Sequence, residues 1–295
     1  MPLNIIKAMK KAQTQLDEAG IESGQLEAGM LMAHLMGCER TYLYLDRERV
    51  LSPQQIQDYF NMVKMRVQRT PIHYIIGYRE FMGLKFYVNE NVLIPRPDTE
   101  VLVEYVINYC KNVGDHFFKI LDMGTGSGAI AVSLAKYIEN CKVTAIDIDD
   151  QALLVAKKNG TAHGVGDRIE FIQGDLFYPL KDKEDNLKFH IMVSNPPYIP
   201  TADIEELEVQ VKDYEPLKAL DGGREGLDYY RRLAKEAPKF LYDDGLWAVE
   251  VGYNQAHQVG DILRDQGCYH NIEFIKDLSG YNRVVVARMK GVEKC

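Results

Sequence analysis

Residues 118–130 read Phe118-Lys119-Ile120-Leu121-Asp122-Met123-Gly124-Thr125-Gly126-Ser127-Gly128-Ala129-Ile130. An apolar run gives way to three glycines at alternate positions and then to a second apolar segment. This predicts a buried strand, a loop whose backbone turns tightly and comes close to a ligand, and a helix. Gly124-x-Gly126-x-x-Ala129 also fits the dinucleotide fingerprint in its G/A form. A plain strand–helix turn uses glycine too, so the loop alone is weak. Asp147 strengthens it. That acid ends the next apolar run, about 20 residues on, where a carboxylate accepts both hydroxyls of a ribose.

Outward from this loop, strand-like and helix-like segments alternate. Strands are expected at 118–122, 142–147, 168–173, 189–194, 244–251, 269–276 and 282–289, and helices at 128–138, 150–163, 228–240 and 254–266. The alternation predicts an α/β domain with a mostly parallel seven-stranded sheet covered on both faces. The last two strands are joined too tightly for a helix and are expected to be antiparallel. The stretch from Ile199 to Gly226 is long for a loop, with a short helix expected within Ala202 to Val211.

Upstream the pattern is helical. Ile5, Ile6, Met9, Ala12 and Leu16 have helix spacing. Ser23 is expected to cap a second helix that runs to Met36 and stops at Gly37. Thr41 to Asp46 reads as a short helix or turn, and Ser52-Pro53 opens another helix, to Arg69. Tyr74 to Tyr78 and Leu84 to Val88 read as the two strands of a hairpin around Met82-Gly83. A stiff turn, Ile94 to Asp98, leads into a helix to Asn112. The expected division is a helical bundle at 1–73, a β-hairpin linker at 74–97 and a catalytic domain at 98–295.

The bulk composition narrows the class. The chain has 295 residues, 46% of them hydrophobic, with 35 basic and 43 acidic side chains. No apolar run approaches the roughly 20 residues that span a bilayer, and the N-terminal stretch is not a signal peptide. Cys38, Cys110, Cys141, Cys268 and Cys295 are scattered and lack CxxC spacing, so neither a disulfide framework nor a structural zinc site is expected. The seven histidines show no ligand spacing, and no metal is expected. A cytoplasmic protein follows. Residues 1–72 hold nine basic and eight acidic groups, a net +1, so with −8 overall the remainder carries −9. That is a poor match for a phosphate backbone, and no stable nucleic-acid partner is expected.

The fourth strand ends in Asn195-Pro196-Pro197-Tyr198. The asparagine offers a carbonyl acceptor and an amide donor. Two prolines remove two N–H donors and stiffen the backbone, while the tyrosine adds a flat wall with a polar tip. The set suits a planar –NH2 group, held by acceptors at its hydrogens. Asn195 and Pro196 would hold the nitrogen, with Pro197 and Tyr198 shaping the wall. Hydride transfer needs no such grip. It therefore favours S-adenosylmethionine over a nicotinamide cofactor on the glycine loop (Gly124, Thr125, Gly126, Ser127, Gly128). Asp122 precedes the loop, where it could face the ligand's ammonium. Asp175-Leu176 ends the third strand, where the acid meets an adenine amino group and Leu176 its face. Asn195 stands between cofactor and substrate.

Asp-x-Gly-x-Gly-x-Gly with Asn-Pro-Pro-Tyr on the fourth strand resembles the class I, Rossmann-like amino-group methyltransferases. Further motifs are Ile94-Pro95-Arg96-Pro97-Asp98-Thr99-Glu100, Glu215-Pro216, Ala219-Leu220-Asp221-Gly222-Gly223, Gly226-Leu227 and Glu250-x-Gly252-x-x-Gln255. With these the chain resembles the HemK/PrmC family. That resemblance implies a protein-(glutamine-N5) methyltransferase of EC class 2.1.1. It implies methylation of the glutamine in the Gly-Gly-Gln motif of peptide chain release factors, from S-adenosyl-L-methionine, leaving S-adenosyl-L-homocysteine. It also assigns release-factor recognition to the N-terminal helices. The family more often has glutamate at Asp98 and an aromatic residue at Leu176.

In-line displacement needs the amide lone pair directed at the methyl group. The Asn195 side-chain oxygen and the Pro196 carbonyl, each accepting one N–H, would hold the nitrogen for it, with Tyr198 against the amide plane. Asn195, Pro196 and Tyr198 are thus the expected catalytic residues. Alternatives are a glutamine methyltransferase acting on a ribosomal protein and a nucleic-acid enzyme acting on adenine N6. A monomer is expected, since its substrate is itself a protein.

Overall fold

The computed structural model describes residues 3–184 and 186–291; Met1, Pro2, Asp185 and residues 292–295, Cys295 among them, lie outside the described residues. Two compact units emerge, one running to Tyr78 and taking in Glu208–Tyr214, the other holding Arg79–Leu207 and the chain from Glu215 on.

The first unit is helical: α1 (Ile5–Glu18), α2 (Gly24–Met36), α3 (Tyr42–Leu45), α4 (Pro53–Val67) and α5 (Ile72–Ile76). Each start and stop has a local cause. Asn4 caps α1, its Oδ1 accepting from the Lys7 amide. Ser52 and Gln55 exchange hydrogen bonds in a capping box at α4. Gly37 ends α2 in the left-handed conformation, φ 62°. Ser23 does not cap α2. Its hydroxyl donates instead to Glu27 Oε1, 2.9 Å, and Glu27 forms a buried ion pair with Arg66. Ile5, Ala8, Ala12, Leu16, Leu31, Met32, Tyr59 and Val63 fill the core.

The residues from Tyr74 are helical, not extended. Pro71 starts α5 and Gly77 ends it at φ 78°, while Ile72, Ile75 and Ile76 pack into the helical core. The first hairpin strand is therefore β1 (Tyr78–Phe81), paired with β2 (Leu84–Tyr87). The turn puts Met82 at φ 52° and Gly83 at φ 69°, the sense that matches the twist of a two-residue hairpin. Phe81 and Phe86 share a core with the sheet that follows, so the hairpin is part of the larger unit.

That unit runs α6 (Glu100–Val113), β3 (Phe118–Met123), α7 (Ala129–Tyr137), β4 (Cys141–Asp147), α8 (Asp150–Ala162), β5 (Ile169–Gln173) and β6 (Phe189–Ser194). After α9 (Val209–Lys212), which belongs to the first unit, it continues through α10 (Asp228–Glu236), β7 (Leu241–Glu250), α11 (Ala256–Asp265), β8 (Tyr269–Lys276) and β9 (Asn282–Met289). The helix expected within 202–211 is split: a 3-10 helix, Thr201–Glu206, then α9. The seven strands lie in the order β5-β4-β3-β6-β7-β9-β8. All pairs from β5 to β7 are parallel, and β9 is antiparallel to both of its neighbours. Alternation sorts side chains to the two faces. Ile120, Ile191, Val193, Leu246 and Ala248 join the core beneath α6 and α7. Leu121, Met123, Met192, Trp247 and Val249 join the core beneath α10 and α11. Among the described residues no helix is long and apolar enough to cross a membrane.

Candidate active site

Four strand ends are brought level by register. Met123 is opposite Ile146 on one side and Ser194 on the other, and Gln173 is opposite Asp147. The residues that leave these strands, Gly124, Asp147, Asp175 and Asn195, therefore line one pocket. It sits where the chain, having placed β4 and β5 on one side of β3, returns to place β6 on the other. Ligands of open α/β sheets bind at such a switch point.

The glycine loop is pinned at its start, where the Gly124 and Thr125 amides both donate to the Ile146 carbonyl, at 2.8 and 3.0 Å. Gly124, Gly126 and Gly128 all have positive φ, at 75°, 53° and 79°. Their reasons differ. A Cβ on Gly124 or Gly126 would meet no protein atom, so both stand open on the pocket, whereas one on Gly128 would press on Ala156, 3.0 Å from its Cβ. The first two glycines leave room for a ligand, and the third lets α7 start against α8. Asn159, buried in α8, donates to the Ser127 carbonyl (2.8 Å) and exchanges hydrogen bonds with the Tyr87 backbone. It ties the loop to the hairpin.

Asp122 does not face the pocket. Alternation turns it with Ile120 toward α7. Its Oδ2 accepts from the Thr125 hydroxyl (2.6 Å) and the Ala131 amide (3.2 Å), holding the loop and the first turn of the helix. It is fully buried, and its Oδ1 has no partner among the described residues. Burial pushes its pKa up to about 7, and it does the same for Glu250 at the end of β7. Both carboxyls hold their proton more tightly folded than unfolded. Their contribution to stability is thus fully present at low pH and is lost as the pH rises through about 7. Asp122→Asn, whose amide oxygen can keep both accepted bonds, is expected to flatten the fall in melting temperature between about pH 5 and about pH 8. An unchanged slope by calorimetry would count against a buried proton at Asp122.

Asp147 is held from below and left available above. Gly126 donates to its Oδ2 (2.7 Å) and Asp149 to its Oδ1 (2.9 Å), so each oxygen keeps a lone pair for another donor. Burial raises its pKa, and the two amides partly offset that. Asp149 in turn forms an ion pair with Lys218, which also lines the pocket. Asp175 is exposed and bound by Arg232, Nη2 to Oδ2 2.6 Å. Leu176 is 9% exposed with φ 49°, and it forms apolar wall together with Ile130, Ile146 and Ile148.

Asn195, Pro196 and Pro197 line the pocket beside the glycine loop. The Asn195 Nδ2 donates to the Thr99 hydroxyl, 3.1 Å. Its Oδ1 receives no hydrogen bond among the described residues, and neither does the Pro196 carbonyl. Two acceptors are thus left beside the pocket. Tyr198 departs from expectation. It is not a pocket residue, its ring packs on the core under α10 and α11, and its hydroxyl donates to Glu250 Oε1 at 3.3 Å. Burial and the neighbouring carboxylate push its pKa upward.

The glycines of the long loop hold this corner. The Gly222 amide donates to the Ile199 carbonyl (2.8 Å), and Ile199 donates to the Leu220 carbonyl (3.0 Å). A Cβ on Gly222 would meet the Tyr198 Cα at 2.7 Å and the Pro197 oxygen at 2.8 Å. Gln255 closes the clamp: its Nε2 donates to the carbonyls of Tyr198 (2.9 Å) and Gly226 (3.2 Å). Arg96 lines the pocket and pairs with buried Glu215, Nη2 to Oε1 2.6 Å. Glu100 is not there; its Oε1 accepts from the Met82 amide at the hairpin turn.

Two family models match the chain: the PrmC N-terminal domain over residues 7–77 and the methyltransferase small domain over residues 98–210. A release factor glutamine methyltransferase of Clostridium acetobutylicum is 40% identical over 98% of this chain and 100% of its own length. One of Geobacter sulfurreducens is 39% identical over 97% and 96%. The chain belongs to the release factor glutamine methyltransferase family. Among solved structures, a methyltransferase from Pyrococcus furiosus shares the fold, with a TM-score of 0.51 at 20% identity over 72% of this chain and 91% of that one.

Spacing in the sequence pointed to the glycine loop, Asp147, Asp175, Leu176 and Asn195, and the fold brings all of them except Gly128, which faces α8, around one pocket. Thr99, Lys218, Ile148 and Tyr229 also line it and were not assigned there. Thr99 lies within the Ile94–Glu100 motif. Asp147-Ile148-Asp149 carries a visible signal for the next turn, because Asp149 caps α8 through the Gln151 amide. Lys218 and Tyr229 have no local signal, since one reaches the pocket through the long loop and the other from the first turn of α10.

Proposed function

We propose that this chain transfers a methyl group from S-adenosyl-L-methionine to the side-chain amide nitrogen (N5) of the glutamine in the Gly-Gly-Gln motif of peptide chain release factors, leaving S-adenosyl-L-homocysteine. One observation carries the chemistry. Asn195 Oδ1 and the Pro196 carbonyl are neighbouring acceptors that receive no hydrogen bond among the described residues, beside a glycine loop open enough for a bulky ligand. The owner of the amide comes from the family, whose curated members are release factor glutamine methyltransferases.

The donor fits the residues present. Gly124 and Gly126 leave space above the loop, Asp147 offers an acceptor at each oxygen for the ribose hydroxyls, and Ile148 and Leu176 offer apolar faces for the adenine. When bound, S-adenosylmethionine supplies an electrophilic methyl on a sulfonium. Asn195 and Pro196 act on the other partner. Each accepts one N–H of the substrate amide, which fixes the nitrogen and favours the geometry in which its lone pair leaves the amide plane. Positive charge developing on that nitrogen strengthens both bonds as the C–N bond forms and the S–C bond breaks, so the acceptors stabilise the transition state more than the ground state, and one of the two N–H protons, made acidic by that charge, then leaves to solvent. Asp175 serves the adenine amino group only with the oxygen that Arg232 leaves free. The helical unit is assigned to release-factor recognition.

The test is incubation with labelled S-adenosylmethionine and, separately, release factor, a free Gly-Gly-Gln peptide, ribosomal protein and DNA, with the label located by mass spectrometry. Label is expected on the glutamine of the release factor, with the free peptide showing a higher KM. Label on the ribosomal protein alone, or on adenine N6 alone, would replace the proposal. Asp147→Ala is expected to weaken cofactor binding by about tenfold to a hundredfold, the loss of charged hydrogen bonds. Unchanged affinity by calorimetry rejects the ribose assignment.

A further inference from the structure

Behind Asn195 stands a buried hydrogen-bond chain that methyl transfer as described above does not use. Thr99 Oγ1 donates to Glu250 Oε2 at 2.5 Å and accepts from Asn195 Nδ2 at 3.1 Å. Glu250 Oε1 accepts from the Tyr198 hydroxyl at 3.3 Å, and the Tyr230 hydroxyl donates to the Glu250 carbonyl at 3.0 Å. Register builds the chain. Ser194 is opposite Val249 in the β6–β7 pair, so the next residues, Asn195 and Glu250, emerge side by side. Alternation sends both toward the face covered by α6, where Thr99 stands directly before the helix. Thr99 and Glu250 are 4% and 1% exposed.

We propose that Thr99 and Glu250 are positioning residues that set which edge of the Asn195 amide faces the pocket, making the site an acceptor of an –NH2 group and not a donor. This rests on the reading of Asn195 given under Proposed function. The argument is one of polarity. An ionised carboxylate only accepts, so Thr99 must spend its single proton on Glu250. The Thr99 oxygen then has only lone pairs to offer, and Asn195 must meet it with its NH2. The carbonyl oxygen is the edge left for the substrate. With Glu250 protonated the chain can run the other way. The carboxyl donates to Thr99, Thr99 donates to the Asn195 oxygen, and the NH2 edge turns to the pocket, where it repels the substrate's own N–H groups.

The surroundings place that change within reach of ordinary pH. The groups facing Glu250 are Thr99, Tyr198, Tyr230, Arg283 and Asp98, and Arg283 is shared with Asp98 at 3.1 Å and Asp277 at 3.2 Å. Burial drives the Glu250 pKa up to about 7, while the Thr99 hydroxyl, Arg283 and the Tyr198 hydroxyl favour the ionised form. Raised above its ordinary value, the group is ionised only on the alkaline side of that point. The acceptor polarity, and turnover with it, is therefore expected to fall as the pH drops through about 7.

The test is steady-state kinetics across pH, with S-adenosylmethionine and a release factor, on the full-length wild type, Thr99→Val, Thr99→Ser, Glu250→Gln and Asn195→Ala. Thr99→Val is expected to lower kcat at least about tenfold with the KM for S-adenosylmethionine within about twofold, and Thr99→Ser, which keeps the hydroxyl, to restore it. The wild type is expected to lose kcat on the acid side and Glu250→Gln to lack that limb. A purely structural role would lower melting temperature and leave the pH profile in place. Wild-type kcat in Thr99→Val, a Thr99→Ser as impaired as the valine, or an acid limb kept in Glu250→Gln overturns the proposal while Asn195→Ala is inactive. An active Asn195→Ala would instead remove the reading beneath it, and the proposal with it. If Thr99→Val does not fold, the Glu250→Gln pH profile decides alone.

Discussion

Asn195→Ala is expected to lower kcat by about a hundredfold or more, the scale on which a preorganised polar group at the reacting centre acts, while S-adenosylmethionine binds within about threefold of wild type. The asymmetry follows from what Asn195 touches. Among the described residues its side chain is hydrogen-bonded to Thr99, and its oxygen is left at the pocket. The cofactor assignment rests on other groups: the glycine loop, Asp147 and the apolar walls. Losing the asparagine therefore removes one of two acceptors for the substrate nitrogen and little of the donor's site. Near-normal turnover in single-turnover assays, with cofactor affinity intact by calorimetry, would contradict the amide grip.

Gly226→Ala is expected to lower stability by more than about 3 kcal/mol, about 10 °C in melting temperature for a unit of this size, and to reduce turnover with it. Two physical terms add. Gly226 has φ +70°, where a side chain costs about 1–2 kcal/mol. A Cβ there would also run into the Tyr198 carbonyl and lie 2.6 Å from Gln255 Nε2. The Tyr198 carbonyl is backbone and cannot swing aside. Either the long loop lifts away from Asn195–Tyr198, or Gln255 gives up its two hydrogen bonds there. Gly124→Ala is the instructive contrast. Its φ is as high, but a Cβ meets no protein atom, so its cost to folding is the conformational term alone. A thermal melt in which the two variants match would show that the loop's close approach at Gly226 carries no weight.

Much of the architecture was legible along the chain because it is written in local periodicity. Buried parallel strands read as continuous apolar runs and their covering helices as 3.6-residue patterns, and the strands lie within a few residues of the runs that announced them. Tyr74–Ile76 misled for the same reason. Its β-rich composition is a local signal, overridden by Pro71 before it, Gly77 after it and the helical core that takes its isoleucines. The glycine loop, Asp147, Asp175 and Asn195 were legible because each sits at a strand end, a place sequence can locate.

What each side chain faces was another matter. Asp122 and Asp147 are both acids beside the same loop, yet alternation and the start of α7 bury one as a cap, while the other lines the pocket. Tyr198 follows the prolines as expected, but the clamp from Gln255 and the Glu250 carboxylate turn it inward. By itself the sequence determined a doubly wound sheet, a glycine-rich loop between β3 and α7, and an Asn-Pro-Pro-Tyr corner after β6, since these depend on neighbours within a few residues. The direction of Asp122 and Tyr198, the backbone contact that only glycine permits at 226, and the link from Asn195 through Thr99 to Glu250 were decided by the tertiary structure. They join residues up to 151 positions apart, and which groups of the sheet's edges meet is settled by strand register and packing, which no local pattern records.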